Sequence, residues 1–476
     1  MMIINSFKQD RIVNALISNN TQIAYSEYID LIIKTAENLK QAGIVPNDRV
    51  AIVSSNNIEL SVLLMALFKA GAIAIPISYQ YPQKQIFKNL KKINCSKVIG
   101  LKGLINLEEF VDFDTFDLKQ MVTFDKKPAS KIDKIVLSLN QDATIIFTSG
   151  TTGNPKAVLH SIGNHYYNAI GSNLNIPFVK GDIWLVSLPF FHVGGLAILF
   201  RAVLDGGTVA LPLANESLKE SILRYKPSHI SLVPTQLYRL FQDKEIIANL
   251  SRMKAILLGG GSIPKGVIDE SIKYNLSLFV SYGSTEMASQ ITTTKPQDSI
   301  KNLHTCGKIL KYRDITIADD NEILVKGKTL FQGFVEGDKI IEIRDLNGWY
   351  HTGDLGKVNE NGYLNVIGRK DSRFVSGGEN IQPEEIEKYL HQLKIVSDVI
   401  VVPVKNNEFG KRPAAFIKII GDRFPDSIFF KSYLLEKIPK FKIPDYFYPW
   451  PDAEKFTGLK SKRKYFERFA EGKNVS

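Results

Sequence analysis

Cysteine is nearly absent: Cys95 and Cys306 are the only two in 476 residues. So small a number excludes a disulfide framework, and the simpler expectation is two ordinary buried thiols in a reducing compartment. Long apolar runs are missing too. Charged residues interrupt every hydrophobic stretch, and Met1 to Asn20 hold no apolar segment long enough for a signal peptide, so the expectation is a cytoplasmic chain without membrane insertion. No period repeats along the sequence and no Gly/Ser- or Pro-rich linker interrupts it, so any junction between domains must be short. No aromatic and basic stripe accompanies the positive charge, which argues against nucleic acid as a partner.

What is present points to a large folded enzyme-sized chain. With 44% apolar and 23% charged residues the composition is globular, and the length suits roughly three units of about 150 residues, or one large α/β domain plus a smaller one. The net charge of +11 fits polyanionic ligands, an anionic surface, or simply a lysine-rich solvated exterior. Short apolar runs at Arg49 to Ser54, Ala143 to Phe147, Ile183 to Ser187, His229 to Val233, Ala255 to Leu258 and Leu276 to Val280 alternate with helical patterns, as parallel βα units do. Beyond about residue 315 the texture becomes that of an antiparallel meander, with Ile317, Ile323 to Val325, Ile340 to Ile343 and Tyr363 to Ile367 separated by turns such as Asn361-Gly362. After Gly368-Arg369-Lys370-Asp371, Pro383 and Glu384, Glu385 and Glu387 open a helix, and Val396 to Val404 and Ala414 to Ile420 flank a loop, Lys405 to Pro413. The expected fold is therefore a large layered α/β domain with a β-meander over residues 1–368, a hinge at 369–371, and a small mobile α+β domain over 372–476.

The densest chemistry lies in Thr148-Ser149-Gly150-Thr151-Thr152-Gly153-Asn154-Pro155-Lys156, directly after a strand. Its glycines permit positive φ, its hydroxyls are donors, and consecutive N–H groups can form a concave nest for phosphate oxygens. It is not a Walker A loop, because Pro155 precedes Lys156 and Ala157 follows it.

This segment resembles the phosphate loop of the adenylate-forming superfamily, which includes acyl-CoA synthetases, adenylation domains and luciferases. The family's other motifs follow in order over essentially the whole chain. Lys69-Ala70-Gly71-Ala72 with Pro76 is similar to an early structural motif, a helix end under a strand. Gly259-Gly260-Gly261, with Ser262 and Pro264 at a helix start, lets backbone approach a flat ligand, Gly260 being the nucleotide-site glycine. Ser281-Tyr282-Gly283-Ser284-Thr285-Glu286 resembles the adenine and metal motif: the resemblance implies a Tyr282 ring face on adenine, a Thr285 hydroxyl on the α-phosphate and a Glu286 carboxylate for Mg²⁺. Trp349-Tyr350-His351-Thr352-Gly353-Asp354 is similar to a family segment whose aspartate accepts from the ribose hydroxyls, which implies that role for Asp354, and Gly368-Arg369-Lys370-Asp371 resembles the next motif, which implies Arg369 on the nucleotide and Asp371 at the hinge. Gly377 and Gly378 resemble the family's loop that lines the CoA channel, with a simple turn as the lesser reading. Near the C-terminus the family's glycine-lysine motif is altered to Gly458-Leu459-Lys460, and Lys460 is the expected adenylation lysine.

The resemblance implies a two-step ligase that uses ATP, Mg²⁺ and CoA to convert a small carboxylic acid to an acyl-adenylate and then a thioester. Phe191, His192, Gly194 and Arg201 fall in the acyl-pocket motif Pro189 to Arg201, whose wording is most similar to the o-succinylbenzoate branch of menaquinone biosynthesis. That acid carries a spectator carboxylate, for which Arg201 is a partner unless it is an exposed helix arginine. The open alternatives are another aryl or medium-chain fatty acid, a carrier protein as acyl acceptor, and a non-catalytic nucleotide- or acyl-binding protein.

Overall fold

The computed structural model describes residues 1–5, 13–124, 134–148, 155–261, 263–406, 408–451 and 459–473. Among these, strands form two large sheets, a four-stranded antiparallel sheet and smaller pieces. The first large sheet runs in the order Lys339–Ile341, Gly333–Glu336, Lys156–Ser161, Asp142–Thr148, Ile73–Ile77, Arg49–Val53, Lys97–Gly100 and Asp114–Asp117. The last five are parallel, whereas Lys156–Ser161 turns back antiparallel on Asp142–Thr148. The second is parallel from Leu278–Ser284 through Ala255–Leu258, His229–Leu232, Ile183–Leu185 and Thr208–Ala210 to Asn14–Ser18. Strands buried on both faces need unbroken apolar sequence, and this is why the βα alternation was visible in the chain.

One apolar core joins both sheets to the helices Tyr25–Gln41, Ile58–Ala70 and Val193–Asp205. Helix Ile58–Ala70 is apolar nearly all round because it is buried nearly all round. The Asn57 side chain accepts the Leu60 N–H at 2.7 Å to start it, and Gly71, at φ 79°, ends it before the strand Ile73–Ile77. Burial pushes both cysteine thiols up to about 11, consistent with inert thiols.

The meander consists of Arg313–Ile317, Glu322–Gly327, Tyr350–Val358 and Leu364–Arg369. It corrects the sequence expectation at one strand: Lys339–Ile341 pairs with Gly333–Glu336 across the Gly337-Asp338 turn and extends the first large sheet instead. Its side chains are exposed, so no alternation of burial assigned it to a sheet. Conversely, Gly353, Asp354 and Gly356 interrupt the apolar pattern of Tyr350–Val358 and hide that strand from a period-2 reading.

Beyond the 3₁₀ turn Lys370–Ser372, two further apolar cores draw on residues between Phe374 and Ala470. The helix expected at Pro383 spans Pro383–Leu390. The expected loop 405–413 is shorter than its composition suggests, because Lys405 pairs with Lys411 and Pro403 with Pro413 in a continuous hairpin. Among the described residues no helix is long and apolar enough to cross a membrane.

Three buried histidines set a pH limit on this fold. Burial lowers His160 and His229 from 6.5 to about 4, and lowers His165 well below its ordinary value. A folded pKa below the unfolded one means that the unfolded chain binds more protons, so stability is complete above the unfolded pKa and falls with pH through it. His160 and His229 are each expected to cost about 1 kcal/mol between pH 7 and pH 5.5, and His165 acts in the same direction. Urea unfolding at both pH values checks this, and a flat profile contradicts the buried neutral state.

Candidate active site

Thr148 and Lys156 are cross-strand partners within the first large sheet, so the two ends of the expected phosphate segment lie side by side. Thr148 is half-buried, and Lys156 is exposed with Nζ 4.7 Å from the Phe334 ring centroid. Ser149, Gly150, Thr151, Thr152 and Gly153 lie outside the described residues.

On the second sheet, Leu278–Ser284 lies beside Ala255–Leu258, which brings the two glycine-bearing strand ends close together. Gly260 is exposed at φ 85°. Gly283 sits at a bulge where any Cβ would collide with the Ser289 carbonyl, so the motif's glycine is demanded by strand packing.

The polar groups singled out from the sequence converge here. The Tyr282 hydroxyl donates to Asp354 Oδ2 at 2.7 Å, and Arg369 Nη1 donates to Asp354 Oδ1 at 2.8 Å and to the Thr352 carbonyl at 2.9 Å. Arg369 Nε continues the chain to Asp371 Oδ1 at 3.1 Å. Asp354 and Arg369 are cross-strand partners in the meander, so the register of that sheet fixes the pair. Gly353, at φ 70°, leaves the space the guanidinium occupies, since a Cβ would meet Arg369 Nη2 at 2.8 Å. Burial opposes the charge on Arg369, but Asp354 and Asp371 more than offset it and raise its pKa. Burial, and then Asp354, raise the Tyr282 phenol, which therefore remains a donor. A carboxylate offers roughly four acceptor positions; these contacts use one on each oxygen of Asp354, leaving capacity for both hydroxyls of a diol.

Glu286 lies in the 3₁₀ turn Thr285–Met287, and its Oε1 accepts from the Tyr350 hydroxyl at 3.3 Å. Among the described residues no group of three or more His, Cys, Asp or Glu side chains could hold a metal. A lone carboxylate suits Mg²⁺, which keeps several waters and takes its remaining ligands from phosphate oxygens. Tyr350 was not among the expected site residues. No sequence signal marks it, because it reaches Glu286 through tertiary packing across 64 positions.

In the acyl motif, Phe191 is half-buried and His192 exposed just before helix Val193–Asp205, with ring centroids 4.8 Å apart in an edge-on arrangement. A Cβ on Gly194 would meet only the Leu188 side chain, whereas one on Gly195 would strike the Leu188 and Pro189 carbonyls. The second glycine is thus a backbone packing requirement rather than room for a ring. Arg201 is 2% exposed, which excludes the surface-arginine reading. Its guanidinium lies 4.7 Å from the Trp184 ring centroid, Nη2 donates to Gln290 Oε1, and the buried Nη1 has no hydrogen-bond partner among the described residues. Burial lowers its pKa to about 9. Trp184 and Gln290 had no sequence signal, since both reach Arg201 through tertiary packing.

Gly377 and Gly378, at φ 57° and 86°, form the exposed turn between Phe374–Ser376 and Glu379–Ile381. Lys460 falls in the first turn of helix Leu459–Lys473, and its side chain lies outside the described residues. Three positions on, Arg463 pairs with Glu387 at 2.8 Å and Glu384 at 3.3 Å.

This ordering of motifs on an α/β scaffold is shared with known proteins. The AMP-binding enzyme family model matches residues 6–335, and the chain belongs to that family. Among its relatives, the 2-succinylbenzoate--CoA ligase of Listeria innocua is 31% identical over 432 residues, covering 90% of this chain and 91% of that one. The o-succinylbenzoate CoA synthetase of Bacillus subtilis, in complex with the acyl-adenylate intermediate OSB-AMP, superposes with a TM-score of 0.84 at 28% identity over 98% of each chain. The same B. subtilis enzyme in complex with ATP and magnesium ion superposes with a TM-score of 0.83 at 29% identity over 96% of each.

Proposed function

We propose that this chain is an ATP-dependent, AMP-forming acid–CoA ligase whose acid is o-succinylbenzoate, acting in menaquinone biosynthesis in the cytoplasm. The observation that carries the reading is the convergence of Tyr282, Asp354 and Arg369 on one hydrogen-bonded chain beside Glu286. Asp354 holds the ribose, Tyr282 and Gly260 flank adenine, and Thr148 to Lys156 with Thr285 hold the phosphates. Mg²⁺, held by Glu286, neutralises charge on the phosphates when bound. The acid carboxylate attacks the α-phosphorus, the bond to the bridging oxygen breaks, and pyrophosphate leaves. A CoA thiolate then attacks the acyl carbonyl of the mixed anhydride and expels AMP. Residues 1–368 form the main domain and 372–476 a lid turning about 369–371, which presents Lys460 for the first step and the Gly377-Gly378 turn for the second. Phe191, His192 and Gly194 wall the acyl pocket, and Arg201 pairs with the spectator carboxylate.

The test supplies ATP, Mg²⁺ and CoA with o-succinylbenzoate, benzoates and medium-chain fatty acids, and reads thioester by mass spectrometry. The kcat/KM for o-succinylbenzoate is expected to exceed that for benzoate by about 10²-fold. Preference for another acid overturns the substrate, AMP release that requires a carrier protein rather than CoA overturns the acceptor, and no adenylate with any acid overturns the enzyme.

A further inference from the structure

The turn Thr285–Met287 carries both groups assigned above to the α-phosphate and the metal, and the backbone that follows it is strained. Ala288 sits at φ 55° and Ser289 at φ 128°, conformations that side-chain-bearing residues adopt at a cost and keep only when their surroundings hold them. Three consecutive carbonyls are held. Thr285 O accepts from Ala288 N at 3.0 Å and from His160 Nε2 at 2.7 Å, Glu286 O from Phe331 N at 2.8 Å, and Met287 O from Asn168 Nδ2 at 3.0 Å.

His160 differs from the other two holds in where it comes from. It lies four residues beyond Lys156 on Lys156–Ser161, the strand that leaves the phosphate hairpin. A carbonyl can only accept, so Nε2 carries the proton. Nδ1 stands 3.4 Å from the Thr144 hydroxyl, which in turn lies 2.8 Å from His165 Nε2. Thr144 belongs to the other strand of the same hairpin. One imidazole therefore bolts the turn bearing Thr285 and Glu286, on the second sheet, to the hairpin bearing Thr148 and Lys156, on the first.

We propose that His160 is a positioning residue for adenylate formation, fixing the Thr285–Met287 turn against the strands that carry Thr148 and Lys156. The inference rests on the roles given to Thr285 and Glu286 above. The chemistry predicts an effect confined to the step that uses pyrophosphate and metal.

The experiment compares His160→Met, which is similar in size but lacks the donor, with His160→Gln, which keeps an N–H. Readouts are acid-dependent pyrophosphate exchange over a Mg²⁺ series, thioester formation from supplied acyl-adenylate, and Tm. For His160→Met, exchange is expected to fall about 30-fold and the half-saturating Mg²⁺ to rise about fivefold, with thioester formation within about threefold of wild type. His160→Gln restores most of the exchange. Equal loss in both half-reactions, an unmoved Mg²⁺ requirement, or no rescue by Gln overturns the proposal. Should His160→Met not fold, Thr144→Val carries the test, with a smaller shift in the same direction expected and an unmoved Mg²⁺ requirement overturning it. A wild-type protein without exchange for any acid refutes the parent reading; an active wild type with an unaffected His160→Met refutes this inference alone.

Discussion

Replacing Lys460 by alanine is expected to reduce acid-dependent pyrophosphate exchange by about 10³-fold while leaving thioester formation from supplied acyl-adenylate close to the wild-type rate. The asymmetry follows from where charge develops. In the first step negative charge spreads over the attacking carboxylate and the α-phosphate, and an ammonium between them stabilises the transition state more than either separate anion. In the second step a thiolate attacks a carbonyl already activated by AMP, and on the proposed reading the ammonium has by then withdrawn. The helix Leu459–Lys473 is tied to Pro383–Leu390 by the ion pairs of Arg463 with Glu387 and Glu384, so under the proposed rotation about 369–371 its first turn would travel with the small domain. Lys462→Ala separates Lys460 from its basic neighbours and is expected to leave exchange within about twofold of wild type. Stopped exchange in Lys462→Ala with activity in Lys460→Ala moves the role to Lys462, and equal losses in both half-reactions refute the two-position mechanism.

What was legible in the sequence divides along a physical line. Ala255–Leu258 is read to the residue because a parallel strand buried on both faces must be apolar throughout. Leu278–Ser284 is expected two residues early, from Leu276, and its end is missed: beyond Val280 it leaves the parallel ladder and pairs antiparallel with Ser289–Thr293, where Tyr282, Gly283 and Ser284 look like a loop. Residues of the candidate site were legible where motif order along the chain singled them out, and the structure brings Tyr282, Asp354 and Arg369 of those motifs together. Those that act by long-range contact were not: Tyr350 reaches Glu286 across 64 positions, Gln290 reaches Arg201 across 89, and His160 reaches Thr285 across 125. Local composition holds no trace of such pairings. Arg201 is the intermediate case, since its position was legible but its environment depended on whether helix Val193–Asp205 is buried on all sides, which it nearly is.

Arg201→Leu is expected to produce effects of opposite sign on the free protein and on acid binding. A guanidinium that is 2% exposed, that has no carboxylate partner among the described residues and whose pKa is lowered to about 9 is costly to bury. The Trp184 face and the Gln290 oxygen offset part of that cost. Replacing the cation with an apolar side chain of lesser volume should therefore leave the unliganded protein within about 1 kcal/mol of wild type, or more stable, even though Gln290 loses a donor. Bound o-succinylbenzoate reverses the balance. On the proposed reading its spectator carboxylate would supply the missing counter-charge and a partner for Nη1, and losing that pairing would leave an anion buried alone, so its KM should rise by at least about 10²-fold. Benzoate, which has no second carboxylate, should bind to both proteins alike. Arg201→Lys keeps the charge but not the planar fork, and an intermediate loss of about tenfold is expected. The thermal shift caused by o-succinylbenzoate, present in wild type and absent in Arg201→Leu, reads the same contact without turnover. If o-succinylbenzoate and benzoate lose affinity in equal proportion, Arg201 shapes the pocket rather than anchoring the second carboxylate, and the selectivity for a dicarboxylate must arise elsewhere.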